Sequence, residues 1–252
     1  IATLALVYLV ATIFNFRIPC TGVEMRPLPR NLSALLPDFW RCNSRLWHDK
    51  LGQISLATTT LFWGVSGNMR YIVLAWAAAA LHYSTTQAAS LVGVVALGTA
   101  VGAIAASVRV RLDRATAVMP LGMMMGALVI AMVFVRDLWV AVPLLIVMGG
   151  LGGYIVVPMN ALLQHRGHNL MGSGRSIAVQ NFNEQACILG LGALYSFSTG
   201  VGLSAFGAIA LFGSVVVGAM LLIQMWYRYN LRHHTAAIKQ LMRIARGQRQ
   251  EP

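Results

Sequence analysis

Amide and carboxylate side chains gather in the middle of an otherwise apolar stretch of this sequence. Residues 173–198 are long enough for a helix that crosses a bilayer, which needs about 20 residues. The centre of the stretch carries Gln180, Asn181, Asn183, Glu184 and Gln185. Gln180 and Glu184 are four residues apart and share one helical face. Because a carboxylate that faces lipid costs at least ~2.5 kcal/mol, we expect this face to line a protein interior or an aqueous cavity.

A second charge, Arg70, lies within the apolar stretch 54–81, with Trp63 close to the same helical face. Helical rise places Arg70 about 24 Å from Ile54, in the outer half of the membrane, and Glu184 about one turn deeper. The two charges could form a buried ion pair that fixes helix register. Arg70 could equally bind an anionic or zwitterionic head group, since charges inside a membrane usually serve function. The two interpretations are compatible.

Composition predicts an all-α, polytopic transmembrane helical bundle. Of the 252 residues, 58% are hydrophobic and only 10% are charged, with a mean hydropathy of +0.68. A soluble domain carries about 25% charged residues. The net charge of +12 does not indicate nucleic-acid binding, because the cations fall in loops between apolar runs. The three cysteines do not suggest a disulfide framework.

Charge distribution predicts the topology. Full spans are expected at Ile54–Leu81, Gln87–Val108, Ala115–Val135, Leu138–Leu163, Gly174–Thr199 and Leu203–Tyr227. Of the 19 Lys and Arg residues, 17 fall on one side of these spans, which the positive-inside rule makes cytoplasmic. We expect residues 1–16 to end a truncated span, 17–53 to form a cytoplasmic loop, 54–228 to form a six-helix unit, and 229–252 to form a basic cytoplasmic tail. The chain is expected to be the back part of a longer protein.

Two segments outside the spans have amphipathic patterns. In the loop, a short helix on the membrane surface is predicted from Leu32, Leu35, Leu36, Phe39 and Trp40. A solvated linker is the alternative. In the tail, apolar residues at helical spacing alternate with cations and predict a helix on an anionic leaflet; they are Ile238, Leu241, Met242 and Ala245.

The remaining motifs favour packing over chemistry. The glycines of Met148–Gly153, and the pair Gly98 and Gly102, are typical of close helix packing. Pro158, Asn160 and Gln164 are expected to end the fourth span. His165 and His168 lack a carboxylate or Cys that would complete a metal site. Since no phosphate-binding loop, nucleophile elbow or zinc motif is present, we expect neither an enzyme nor a cofactor.

Three motifs together resemble one known family. They are Thr60-Leu-Phe-Trp-Gly64 with Arg70, the run from Val156 to Gly167, and Ala178-Val-Gln-Asn181 with Glu184. The sequence over roughly residues 56–203 is similar to the bacterial lysophospholipid transporters of the major facilitator superfamily. This resemblance implies the C-terminal six-helix half of that fold, part of the preceding helix, and the loop between the halves.

The resemblance also implies a function and a site. The function is to move lysophospholipids such as lysophosphatidylethanolamine across the bacterial inner membrane for re-acylation, with a cytoplasmic acyltransferase or acyl-carrier-protein synthetase as a partner besides membrane lipids. Arg70 and Glu184 would line the central cavity, and the other cavity candidates are Trp63, Asn160, Gln180, Asn181 and Asn183. His165 departs from the family, which often has an acidic residue there, so a salt bridge in that loop is in doubt.

Two other functions fit the same residues. A facilitator that exports amphipathic drugs in exchange for protons could use Glu184 as the proton site. A membrane subunit or anchor of a phospholipid acyltransferase is a third possibility.

Overall fold

The computed structural model describes residues 2–17, 33 and 35–245, and every regular element within these ranges is helical. The α-helices are α1 Ala2–Asn15, α2 Leu35–His48, α3 Gly52–Leu81, α4 Thr85–Arg109, α5 Pro120–Ala131, α6 Leu138–Met171, α7 Ser173–Gly200, α8 Ala205–His233 and α9 Thr235–Ala245. The predicted all-α class is confirmed.

The chain divides into two compact units, Ile1–Pro37 and Asp38–Pro252. In the first unit, α1 is an apolar helix of 14 residues, shorter than the roughly 20 that a complete span needs. Leu32, part of the predicted surface helix, lies outside the described residues. The second unit contains α3 to α9 and most of α2.

Four helical segments of the second unit are long and apolar enough to cross a membrane, namely Thr85–Arg109, Leu112–Phe134, Leu138–Met171 and Ala205–His233. The helices α3 and α7, with 30 and 28 residues, have spanning length but carry more polar side chains. This is the composition of a multi-pass membrane protein with a polar helix pair.

The fourth predicted span does not end near Pro158. Helix α6 continues through Pro143 and Pro158 to Met171, so the prediction of an end at 158–164 was wrong. Proline is tolerated inside membrane helices because neighbouring helices and side chains satisfy the backbone groups that it frees. As a result Asn160 lies within the helix, and His165 and His168 lie in its last turns and not in a loop.

The third predicted span is helical but interrupted. A 3-10 segment, Leu112–Val118, precedes α5, and a second one, Met132–Phe134, follows it. Pro120 occupies the first position of α5, where its missing N–H costs nothing and its fixed φ favours a helix start. Pro120 therefore accounts for the start of α5, although the apolar pattern of the sequence does not show it.

The two glycine motifs pack against each other. A Cβ added to Gly102 would lie 1.9 Å from the carbonyl oxygen of Gly150, and one added to Gly98 would lie 2.3 Å from that of Ile146. In return, a Cβ on Gly153 would lie 2.1 Å from the carbonyl oxygen of Thr99. The packing role predicted for both motifs is confirmed, because α4 and α6 meet backbone to backbone.

Side chains and glycines join α3 to α7. Gly64 faces Cys187, since a Cβ there would lie 2.5 Å from the Cys187 Sγ. One turn later, the buried Asn68 amide donates to the carbonyl of Gly64 and, across the interface, to that of Ile188 at 3.0 Å. The two polar helices are thus neighbours that run in the same direction.

Both amphipathic helices dock on the second unit. The apolar side of α2 packs through Cys42 and Leu46 against Leu56, Leu163 and Val179. In α9, Ile238 is 2% exposed and joins the main core, with Leu241 and Met242 packed beside it. The prediction of an apolar face turned to lipid was wrong for the described part of α9, because protein covers that face. In α2 the predicted residues Leu35, Leu36 and Trp40 are 39%, 61% and 55% exposed, so a surface position of these side chains stays a prediction. Sequence periodicity predicts an apolar face but does not show whether lipid or protein covers it.

Candidate functional site: a polar network between α6 and α7

One buried amide links two helices. The Gln180 side-chain nitrogen donates to Asn160 Oδ1 on α6 at 2.7 Å and to Glu184 Oε1 on its own helix at 2.8 Å. Gln180 and Glu184 are 6% and 8% exposed. Three of the predicted cavity residues therefore form one connected network in an apolar bundle.

A tight turn between α6 and α7 brings this network together. Gly172 joins the two helices with φ +85°, a conformation that favours glycine. On the α6 side of this turn, a Cβ on Gly167 would lie 1.8 Å from the Ser176 Oγ on α7. Only glycine therefore lets α6 and α7 approach so closely at this point. The continuation of α6 past Pro158 then places Asn160 opposite Gln180.

Glu184 has an amide and no cation beside it. The ion pairs among the described residues join Arg111 to Asp113, Arg166 to Asp49, and Arg175 to Asp38. Burial of a carboxylate without a cation is costly, and such an arrangement is typical of a site that meets a charged ligand or a proton.

Two buried oxygens lack a hydrogen-bond partner among the described residues: Gln180 Oε1, within the network, and Thr60 Oγ1, on α3. Thr60 lies one turn before Gly64, and Glu184 lies about one turn before Cys187, which faces Gly64. Thr60 and Glu184 are thus at similar heights in the bundle. Thr60 was not among the site residues predicted from the sequence. Its hydroxyl lies one turn before Gly64, a glycine that contacts α7, and this spacing could have drawn attention to it.

The two asparagines of the polar run are not in this network. Asn183 donates to Asn43 Oδ1 at 2.8 Å and accepts from the Trp47 indole at 3.2 Å, so it fastens α2. Asn181 lies on the exposed face of α7. The run was predicted as one polar surface, but helical geometry distributes its members over three directions.

Arg70 and Trp63 lie on an exposed face of α3. The Arg70 guanidinium donates to the Tyr71 hydroxyl at 2.8 Å and lies 4.7 Å from the centre of that ring. Trp63 is 39% exposed and packs edge-on against Phe62. Neither residue contacts the α6–α7 network.

Arg70 and Glu184 form no ion pair in the structure. The contact of Gly64 with Cys187 and that of Asn68 with Ile188 set the relative heights of α3 and α7. From these contacts, Arg70 and Glu184 lie roughly 12 Å apart along the bundle axis. The predicted separation of one turn was wrong, because it assumed equal starting depths for the two helices.

An ion pair that was not predicted from the sequence joins the Arg166 end of α6 to the connection between α2 and α3. Arg166 binds Asp49 through Nε to Oδ1 at 3.0 Å and Nη2 to Oδ2 at 2.6 Å. Asp49 also accepts from the backbone N–H of Gly52 at the start of α3. The doubt raised by His165 therefore does not extend to Arg166, which has a partner 117 residues away in sequence.

Within the described residues, no three His, Cys, Asp or Glu side chains are close enough to hold a metal ion. His168 pairs with the Ser173 hydroxyl at the α6–α7 turn, and His165 pairs with Asn169.

Curated proteins resemble this chain along most of its length. It is 33% identical over 227 residues to the lysophospholipid transporter LplT of Photorhabdus laumondii, which covers 90% of this chain and 57% of that protein. It is also 33% identical over 229 residues to LplT of Escherichia coli O7:K1, with 90% and 58% covered. This chain is a relative of the bacterial lysophospholipid transporters. The resemblance inferred from the motifs is confirmed.

The chain spans a little over half the length of the lysophospholipid transporters that it matches. These relatives are named as transporters and not as enzymes. No protein-family model matches the sequence, and no solved structure matches it significantly.

Proposed function

We propose that this chain forms one half of a major facilitator-type transporter that moves lysophospholipids across the bacterial inner membrane. The observation that carries the proposal is the buried Asn160–Gln180–Glu184 network. A bundle whose only task is to pack would not bury a carboxylate beside neutral amides. The similarity to proteins named as lysophospholipid transporters supports the choice of substrate.

The two intramembrane charges act at different points of the route. In an ethanolamine head group, two carbons separate the phosphate ester from the ammonium, far less than the roughly 12 Å between Arg70 and Glu184. Arg70, on the exposed face of α3, suits phosphate oxygens because its planar fork can donate twice. Glu184, Gln180 Oε1 and Thr60 Oγ1 supply acceptors for the ammonium deeper in the bundle.

The proposed orientation follows from the charge distribution. The end of the bundle that carries Asp49, Arg166 and Arg175 faces the cytoplasm, together with the C-terminus. A lysophospholipid released at that end would be re-acylated there by a separate acyltransferase or acyl-carrier-protein synthetase. This enzyme is the proposed protein partner.

The test is uptake of labelled lysophosphatidylethanolamine by vesicles that contain the full-length protein. We expect Arg70→Ala and Glu184→Gln each to slow uptake at least tenfold. Arg136→Ala is a matched control, because Arg136 also lies over an aromatic ring, Phe206, at 4.2 Å; its uptake should stay within twofold of wild type. Uptake no faster than in protein-free vesicles, with expulsion of a cationic drug, would instead indicate the proton-coupled exporter.

A further inference from the structure

A small apolar cluster lies where α2 covers the junction of three bundle helices. We call it the α2 cluster, and each of its members is at most 4% exposed: Cys42 and Leu46 from α2, Leu56 from α3, Leu163 from α6 and Val179 from α7. Because α3, α6 and α7 each contribute one residue, the two α2 side chains close the space where these helices meet.

Helical spacing places the α2 cluster just above the Asn160–Gln180–Glu184 network. On each bundle helix the cluster residue is three to five positions from a polar residue at the height of the network: Leu56 from Thr60, Leu163 from Asn160 and Val179 from Glu184. At 1.5 Å per residue, these offsets are roughly 5–8 Å. All three point towards the end of the bundle where α6 turns into α7, so the cluster separates the network from that end.

A buried ion pair anchors one end of α2. Asp49, directly after the helix, binds Arg166 on α6 at 2.6 Å and accepts from the backbone N–H of Gly52 on α3 at 2.7 Å. Residues 49–51 are the whole connection between α2 and α3. Such short connections are where hinge motions usually occur.

Side chains attach the rest of α2 to the bundle. The Asn183 amide donates to Asn43 at 2.8 Å, and the Trp47 indole donates to Asn183 at 3.2 Å. Trp47 also stacks on Trp226 of α8, with ring centres 6.2 Å apart. These contacts can break and form again while every helix stays intact, unlike the backbone contacts between α4 and α6.

We propose that α2 is a lid that pivots about residues 49–51 and opens the network to a charged head group from the α6–α7 turn. In the structure the lid is closed, because Cys42 and Leu46 fill the approach and are 4% and 0% exposed. Passage of a head group rests on the proposed transport, whereas access to the network does not. The two are therefore measured separately.

The first measurement is thiol labelling of the purified full-length protein in detergent, with Cys42 replaced by valine and the other cysteines by serine. Gln180→Cys then reports access to the network, and because Gln180 is 6% exposed, labelling should be slow. Adding Leu46→Ala shortens a lid side chain and should accelerate labelling at least fivefold. The matched control is Leu222→Ala, at a leucine that is 67% exposed, and its rate should stay within twofold.

A second reporter distinguishes opening of the lid from loss of the fold. Ser198 is 3% exposed near the far end of α7. The labelling rate of Ser198→Cys should change less than twofold when Leu46→Ala is added. An unchanged rate at Gln180→Cys, or equal acceleration at both reporters, would overturn the lid.

The second measurement is uptake of labelled lysophosphatidylethanolamine by vesicles that contain the full-length protein. Asn43→Cys with Asn183→Cys, linked by a short reagent that forms a disulfide with each thiol, should take up the lipid at least tenfold more slowly. A reductant should restore the rate. The matched control is His168→Cys with Ser173→Cys, since these side chains also lie 2.8 Å apart but their link leaves α2 free. Its uptake should change less than twofold.

The two measurements separate the lid from the transport. Full uptake with α2 crosslinked to α7 would overturn the lid. If the protein takes up no lysophospholipid before crosslinking, but Leu46→Ala accelerates labelling of Gln180→Cys alone, the proposed transport is wrong and the lid stands.

Discussion

Arg166 and Asp49 hold the end of α6 against the junction of α2 and α3 through two parallel hydrogen bonds, with their side chains only 7% and 10% exposed. Removing one partner of a buried pair leaves the other charge uncompensated, which costs about 3–5 kcal/mol. We therefore expect Arg166→Met to lower the free energy of unfolding by about that amount. Thermal unfolding in detergent measures it.

The control for this pair is Arg111→Met. Arg111 lies 3.4 Å from Asp113; the Arg111 side chain is 75% exposed, whereas that of Asp113 is 5% exposed. Because water screens the exposed guanidinium, we expect the loss of Arg111 to cost about 1 kcal/mol or less. A loss in Arg166→Met no larger than that in Arg111→Met would contradict a structural role for the Arg166–Asp49 pair.

Arg70 and Glu184 should behave independently in a double-mutant cycle. Neutralising both, as Arg70→Gln with Glu184→Gln, should give the sum of the single effects on unfolding to within about 0.5 kcal/mol, because the charges do not touch. The pair Gln180 and Glu184, joined by a hydrogen bond at 2.8 Å, should instead show a clear coupling energy. Recovery of stability in the Arg70 and Glu184 double variant would indicate a direct pair.

Gly102 should not tolerate even one added carbon. In Gly102→Ala the new Cβ meets the Gly150 carbonyl, and we expect a loss of about 1–3 kcal/mol in unfolding free energy. Gly218→Ala, on α8, is the matched control, since nothing lies within 4 Å of its added Cβ. Higher helix propensity should make that variant neutral or slightly more stable.

Labelling of Cys42 reports whether Asn183 fastens α2. Cys42, on the buried face of α2, is 4% exposed and should react slowly with a maleimide when the other two cysteines are replaced by serine. Asn183→Ala removes the links to Asn43 and Trp47 and should accelerate the reaction at least fivefold. Asn169→Ala, an exposed change on α6, should not; equal rates in both variants would show that α2 is held by its apolar contacts alone.

Single cysteines test the topology. Those at Ser84 or Gly200 should react with an impermeant thiol reagent added from the periplasm, and His168→Cys should not. The reverse pattern would invert the assignment that the loop cations predict.

Apolar runs and loop charges were enough to predict the helices of the bundle and the polar character of α7, because these depend on local composition. The path of α6 beyond Pro158 was not predictable in the same way, since neighbouring helices decide whether a proline ends a membrane helix. For the same reason the contacts that Cys42 and Asn43 of α2 make with α7 were not predictable. Their partners Val179 and Asn183 are more than 130 residues away, and a local pattern carries no record of such distant contacts.

Within the site, sequence spacing correctly grouped Gln180 with Glu184, because both lie on one helix. The height that spacing predicted for Arg70 relative to Glu184 was wrong. The depth of one helix relative to another is set by contacts such as that of Gly64 with Cys187. Thr60 and the Arg166–Asp49 pair were missed because their importance depends on burial and on a partner far along the chain.

The glycine contact between α4 and α6 has a mechanical consequence. With carbonyl oxygens set against α-carbons at several successive levels, these helices cannot slide past each other without breaking several contacts at once. We expect the pair to move as one rigid body during any change of shape, carrying Asn160 with it. Shear would then fall between this pair and α7, where side chains such as Asn160 and Gln180 make the contact. Asn160 would be the stationary member of the network, and Gln180 and Glu184 the members that shift against it.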